Sequence, residues 1–173
     1  MQEKPFKPLK FPLHSLVVHI PVGLWSAALL FDLLNRLHAG GNTTVRLSFW
    51  SIALGLAGAL VAVPTGVLDW GGVKKEKPAW KIGLYHMATN LVVTILFAIN
   101  FGARLTTWKT AEMVSPLALF LSAAGTLLLF FGAYLGGRMI YDHGVGVARG
   151  SKEKWRKIAE KGGAALPDQQ ENA

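Results

Sequence analysis

The sequence predicts an all-α membrane protein built as a bundle of four transmembrane helices. Apolar residues make up 51% of the 173 residues, and the mean hydropathy is positive, at +0.35. Four apolar runs, each long enough to cross the roughly 30 Å hydrocarbon core of a bilayer, are separated by short polar or basic loops. Spans in lipid fold as helices because every backbone polar group there needs a partner within the protein.

The first span covers about Pro12–Leu37 and follows a polar tail, residues 1–11. This segment is too long for the apolar core of a secretory signal peptide, and it has no clear small-residue cleavage site. We therefore expect it to be retained as a span. Pro21 lacks a backbone donor and clashes with the preceding turn, which predicts a kink just beyond His19.

Polar side chains inside the spans need partners, because unpaired polar groups are costly in lipid. Asp32 lies one helical turn before Arg36, so we expect an i, i+4 ion pair between them. In the third span, His86, Asn90 and Asn100 lie on one side of a regular helix. That side is predicted to face protein.

Three further spans follow at about Val45–Asp69, Trp80–Leu105 and Pro116–His143. Asn42 or a neighbouring threonine is expected to cap the second span, and Ser115 is placed to cap the fourth. The second and fourth spans also carry small residues at helical spacing, which let helix backbones approach closely in lipid. These residues are Gly55, Ala59, Ala62, Gly66, Gly125, Gly132 and Gly136. We expect packed faces here, which are also the candidate surfaces of a homo-oligomer.

The basic residues predict the orientation of this four-helix domain, residues 12–147. All but four of the eighteen Lys and Arg residues lie in the N-terminal tail, around the loop between the second and third spans, or from Arg138 onward. The last region includes a basic, partly amphipathic tail, residues 148–173, with a short helix predicted at 151–161. The positive-inside rule places both termini in the cytoplasm. Because the charge lies beside apolar runs, we expect the lipid bilayer as partner and no nucleic acid.

Most of the histidines fall in the cytoplasmic half of the predicted bundle, together with one carboxylate: His14, His19, His86, His143 and Asp69. One histidine in a span is more often a hydrogen-bonded packing residue, but a group of them marks a candidate functional site. At 1.5 Å per residue, His19 and His86 lie about 10 and about 9 Å in from the starts of their spans. We expect these two to face each other as axial metal ligands. The other three are expected nearer the surface, as a second site or a hydrogen-bonded network.

Several kinds of chemistry are excluded by the residues present. The chain has no cysteine, so it forms no internal disulfide and carries no thiolate ligand or covalently attached c-type haem. It has no GxSxG, HExxH, Walker A or complete GxGxxG motif. The spans also lack the glutamates of a carboxylate-bridged di-iron bundle. Any metal must therefore be bound by histidines, other carboxylates or carbonyls.

Four motifs are distinctive in combination: LHSLVVHIPVGL in the first span, PTGVLDW in the second, YHMATN in the third and a terminal HGVGV. Together they resemble a bacterial membrane-protein family, the domain-of-unknown-function family numbered 2231. The resemblance covers roughly Pro12–Val147 and implies a location in the bacterial inner membrane. Relatives fused to Rieske-type or cytochrome c modules imply redox chemistry.

Two hypotheses for the function follow. In the first, the bundle is a b-type cytochrome in which His19 and His86 ligate haem iron and electrons pass to or from a quinone or a partner redox subunit. Basic residues at the cytoplasmic edge would pair with the haem propionates: Lys74, Lys75, Lys81 or Arg138. In the second, the chain is a non-redox subunit or a cation or proton pathway with a histidine relay. We favour the cytochrome, because paired histidines at matched depth suit axial ligation.

Overall fold

The computed structural model describes residues 13–146 and 152–163, and every regular element in that part of the chain is a helix. The helices are α1 (Leu13–Val17), α2 (His19–Arg36), α3 (Gly41–Gly71), α4 (Pro78–Arg104), α5 (Pro116–Tyr141) and α6 (Lys152–Lys161). The last of these confirms the helix predicted at 151–161. The predicted N-terminal tail, residues 1–11, and the remainder of the C-terminal tail lie outside the described residues.

Four stretches are long and apolar enough to cross a membrane: α1 together with α2, then α3, α4 and α5. This confirms the predicted four-helix bundle. Helix α2 packs on α3 and α4 packs on α5, and the two pairs are joined through α3 with α4 and α2 with α5. Large apolar side chains such as Leu60, Phe120 and Leu127 remain exposed on the outer surface, as expected where lipid surrounds the bundle.

The first span is interrupted at Val18, slightly before the predicted kink. Pro21 has no N–H to donate to the Val17 carbonyl, and its ring crowds that carbonyl, so the helix is disturbed on the N-terminal side of the proline. Regular hydrogen bonds flank the interruption, from the Val18 N–H to the His14 carbonyl (3.0 Å) and from the Val22 N–H to the Val18 carbonyl (3.2 Å). The short helix before the break packs against α3.

One of the two predicted caps is confirmed. The Ala118 N–H donates to the Ser115 hydroxyl (3.2 Å) at the start of α5. At α3 the prediction is wrong, because the N-cap is Gly40, in the left-handed conformation (φ 84°), and the first-turn N–H of Asn42 donates instead to the Glu112 carboxylate at 3.0 Å. Asn42 lies inside the first turn instead, and its amide donates to two carbonyls in the loop between α4 and α5.

The glycines of α5 pack against α4, as their spacing predicts. A Cβ atom added to Gly125 would lie 2.7 Å from the Phe97 ring, and one added to Gly132 would lie 2.8 Å from the Asn90 amide. These glycines are therefore used in packing within one chain. The packing also confirms that the polar side of α4 faces protein, since Asn100 is fully buried.

Asp32 pairs with Arg104 of α4, so the predicted pair with Arg36 is wrong. The two guanidinium nitrogens of Arg104 donate to the two carboxylate oxygens of Asp32 at 2.9 and 2.6 Å. Both side chains are buried, at 0% and 3% exposure. Arg36 is exposed at the end of its helix, where its long side chain reaches the surface and contacts the sulfur of Met113.

A cluster of polar side chains surrounds this ion pair, and we call it the ion-pair cluster: Asp32, Ser48, Asn100, Arg104 and Ser122. The guanidinium also donates to Ser48 (3.0 Å), Asn100 (2.9 Å) and Ser122 (3.3 Å), so all five of its N–H groups are engaged. The Ser122 hydroxyl in turn donates to the Asp32 carboxylate at 2.6 Å. Because the members come from α2, α3, α4 and α5, the cluster connects all four spans.

Replacing Arg104 with glutamine is expected to lower the free energy of unfolding by about 3–5 kcal/mol, because the Asp32 carboxylate would stay buried without its cationic partner. Thermal or denaturant unfolding in detergent measures the change. Arg36→Gln is the matched control and should cost less than about 0.5 kcal/mol, since that side chain is exposed. Equal losses in the two variants would contradict the pairing described here.

Candidate functional site

Two imidazoles from different spans meet inside the bundle, at the end opposite the ion-pair cluster. His14 lies on α1 and His86 on α4. Their ring centroids are 6.4 Å apart, and the ring planes are at 89° to each other. Both side chains are half-buried. We call these two residues the histidine pair.

Backbone carbonyls fix the tautomer of both rings. The Nδ1 atom of His14 lies 2.9 Å from the Ala62 carbonyl oxygen on α3, and the Nδ1 atom of His86 lies 2.8 Å from the Gly132 carbonyl oxygen on α5. A carbonyl oxygen only accepts, so each Nδ1 carries the proton and donates it. In the neutral form of each ring the lone pair is then on Nε2, which is the tautomer that a metal-ligating histidine uses.

Each ring rests on a glycine one helical turn beyond the carbonyl that it bonds. A Cβ atom added to Gly66 would lie 2.8 Å from Cε1 of His14, and one added to Gly136 would lie 3.0 Å from Cε1 of His86. Gly66 follows Ala62 by four residues, and Gly136 follows Gly132 by four. The missing side chain lets the imidazole approach the helix backbone closely enough to reach a carbonyl that is also part of the helical ladder.

The bundle has two halves, α1 to α3 and α4 with α5, and each contributes one histidine in this arrangement. Equivalent residues of the two halves are separated by a fixed number of residues in the sequence. On the first helix of each half, counterparts are 72 residues apart: His14 and His86, Trp25 and Phe97, Asp32 and Arg104. On the second helix they are 70 residues apart: Gly55 and Gly125, Ala62 and Gly132, Gly66 and Gly136. Counterparts on the first helices contact each other. The rings of Trp25 and Phe97, for example, stack with centroids 4.4 Å apart and planes at 10°. Equivalent residues touch one another only at a symmetry axis, so the histidine pair lies on an approximate two-fold axis.

The structure does not place His19 opposite His86. Its side chain is exposed, and its Nδ1 lies 3.3 Å from the Leu16 carbonyl of its own span. His14 and His19 are five residues apart, about 140° around a helix, so only one of them can face the bundle. Counting depth from the two predicted span starts does not bring His14 and His86 to one level, because His14 lies two residues after Pro12 and His86 lies six residues after Trp80.

The other predicted site residues lie at the surface or in turns. Asp69 and Lys81 are exposed, and His143 is half-buried in the turn after α5. Arg138 is exposed and forms an i, i+4 ion pair with Asp142 at 2.8 Å. Among the described residues, no three His, Asp or Glu side chains are grouped as metal ligands. In the part of the chain that the structure describes, the histidine pair is therefore not joined by a third side chain of these types to form a metal-binding group.

Comparison with known proteins gives one match. The sequence model of a family described as a predicted membrane protein, DUF2231, matches residues 10–149. This range contains all four spans and the histidine pair. No curated protein and no solved structure matches the chain.

Replacing Gly66 with alanine is expected to lower the free energy of unfolding by about 1 kcal/mol, because the new methyl group would push His14 away from the Ala62 carbonyl and weaken that hydrogen bond. Gly23→Ala is the matched control, since nothing lies within 4 Å of a Cβ atom added there. Unfolding of both variants in detergent measures the difference. If the two variants are equally stable, the close approach of His14 to Gly66 is not a constraint on the fold.

Proposed function

The chain belongs to the DUF2231 family of predicted membrane proteins, and we propose that it is a haem b-binding electron-transfer subunit of the bacterial inner membrane. His14 and His86 would hold the haem iron, in place of His19 and His86, the pair expected from depth alone. The observation that carries this proposal is the paired presentation of two imidazoles from the two halves of the bundle. Both have Nδ1 hydrogen-bonded to a backbone carbonyl, so Nε2 is the candidate ligand atom of each ring, with the Asn90 amide nitrogen 3.5 Å from Nε2 of His86.

The separation of the rings supports this assignment. A ligating imidazole nitrogen lies about 2 Å from its metal and about 1 Å from its own ring centroid, so two imidazoles on opposite sides of one ion have centroids on the order of 6 Å apart. The observed separation is 6.4 Å. Bare transition-metal sites usually need three or four protein ligands, and only two are grouped among the described residues. Haem brings four nitrogen ligands of its own, so two histidines suffice.

When bound, haem b supplies one-electron redox chemistry. The contribution of the chain is to hold the two imidazoles in one tautomer and orientation through the carbonyls of Ala62 and Gly132. The stacked rings of Trp25 and Phe97 and the surrounding apolar core exclude water further into the bundle. Lys81 is exposed on α4 and is the proposed partner of a haem propionate, whereas Arg138 is already paired with Asp142.

A non-redox subunit is the second candidate function. It is favoured by the fact that each imidazole already bonds the backbone of a neighbouring helix, as a packing histidine does. A cation pathway through the whole bundle is less well supported. At the opposite end, every N–H group of Arg104 is engaged, and conduction requires groups that can exchange partners.

Visible spectra of the protein purified in detergent from haem-replete cells test the proposal. The wild type is expected to show low-spin b-type bands in a reduced-minus-oxidised spectrum, and His14→Ala and His86→Ala should each lose them because the iron would lack one axial ligand. His19→Ala is the matched control from the same span and should keep the full spectrum. A colourless wild type would overturn the proposal in favour of the non-redox subunit. Loss of the bands in His19→Ala and His86→Ala, with His14→Ala unchanged, would restore the pair predicted from depth, His19 with His86.

We also propose that both termini are cytoplasmic. The N-terminal tail and the loop between α3 and α4 carry more basic residues than the loops between α2 and α3 and between α4 and α5, and the side of the membrane with more basic residues is the cytoplasmic side. The chain has no cysteine, so single introduced cysteines report position directly. In spheroplasts treated with a membrane-impermeant maleimide, Lys109→Cys is expected to be labelled, and Lys75→Cys only after lysis. The unmodified chain is the blank. The reverse labelling pattern would invert the orientation.

A further inference from the structure

A second site lies at the loop between α3 and α4, outside the histidine pair. This loop and the adjoining helix ends form an open pocket of about 630 Å³. Two tryptophans, two lysines and a glutamate are among its lining residues: Trp70, Trp80, Lys74, Lys75 and Glu76. None of these residues takes part in the proposed binding of haem iron.

The two tryptophans form a fixed aromatic wall. The indole N–H of Trp70 donates to the Trp80 carbonyl at 3.0 Å, and the two rings lie with centroids 4.9 Å apart at 32°. A Cβ atom added to Gly83 would lie 2.5 Å from Cδ1 of Trp70, so that ring is wedged tightly against α4. Tryptophan pairs at the ends of spans lie at the level of the lipid headgroups, where one edge of the ring is wet and the other apolar.

The pocket carries a net positive charge that no ion pair among the described residues neutralises. Lys74 and Lys75 are exposed, and Glu76 offsets one of the two charges. The ion pairs found among the described residues are Arg104 with Asp32, Arg138 with Asp142 and Arg156 with Glu160, so neither lysine is committed to a carboxylate there. These lysine ammonium groups lie beside two tryptophans at the level of the lipid headgroups. This combination favours a ligand that has a phosphate at one end and apolar chains at the other.

We propose that this pocket binds one anionic phospholipid, with its phosphate on Lys74 and Lys75 and its glycerol and upper acyl region against the tryptophan wall. The site is independent of the haem binding proposed above, because that binding is assigned to His14, His86 and Lys81. A zwitterionic phospholipid offers the same chains and phosphate but brings its own cation, so it is expected to bind more weakly here.

Native mass spectrometry of the delipidated full chain tests the proposal, with phosphatidylglycerol and phosphatidylcholine of identical acyl chains as probes. The wild type is expected to bind one phosphatidylglycerol in preference to phosphatidylcholine. Lys74→Ala with Lys75→Ala should weaken phosphatidylglycerol binding about 30-fold, the loss that two lysines at an anionic membrane surface imply. Arg46→Ala with Lys109→Ala is the matched control, since it removes the same charge from beside Trp108 at the other end of the bundle. That control should bind as the wild type does.

Two further measurements complete the test. Glu76→Gln removes the negative charge of the pocket and is expected to tighten phosphatidylglycerol binding, a gain that damage to the fold cannot produce. Inorganic phosphate in excess should not displace the lipid. Displacement by phosphate alone would identify free phosphate as the ligand and overturn the proposal. Equal binding of the two lipids, or equal losses in the two double variants, would also overturn it.

Discussion

A guanidinium group enclosed by four apolar helices has five N–H groups to satisfy, and the surrounding lipid offers no acceptors for them. Arg104 finds its acceptors on Asp32, Ser48, Asn100 and Ser122, which lie on all four spans. Satisfying this one group therefore sets the rotation and the level of every helix together. Buried ion pairs add little net stability compared with apolar packing, but they discriminate strongly against arrangements that leave a charge without its partner.

The geometry of the histidine pair follows from this constraint. His14 precedes Asp32 by eighteen residues and His86 precedes Arg104 by eighteen, so the ion pair at one end brings the two imidazoles to the same level at the other, about 27 Å away. Between the ion pair and the imidazoles, Trp25 and Phe97 are a third pair of equivalent residues that contact each other. The histidine pair and the ion-pair cluster therefore lie along the same approximate two-fold axis.

The spans and the packed faces could be predicted from the sequence because they depend on local patterns: apolar length, a serine before a proline, glycines at helical spacing. The partners of Asp32 and His86 could not be predicted in that way. Arg36 is the nearest cation along the chain, but it is the last residue of α2 and its exposed side chain contacts Met113 at the surface. The spacing of 72 residues was the signal that would have identified both true partners, because it relates the two residues of each pair without any estimate of depth.

Opposite charges at equivalent positions also carry a consequence for the ancestry of the bundle. In a dimer of two identical helical hairpins, the residue at this position would face its own copy across the axis, and two carboxylates or two guanidiniums would meet in a dry interior. A neutral pair such as Asp32 with Arg104 requires the two hairpins to differ. Encoding both hairpins in one polypeptide therefore permits a charge asymmetry that a homodimer of identical hairpins could not sustain.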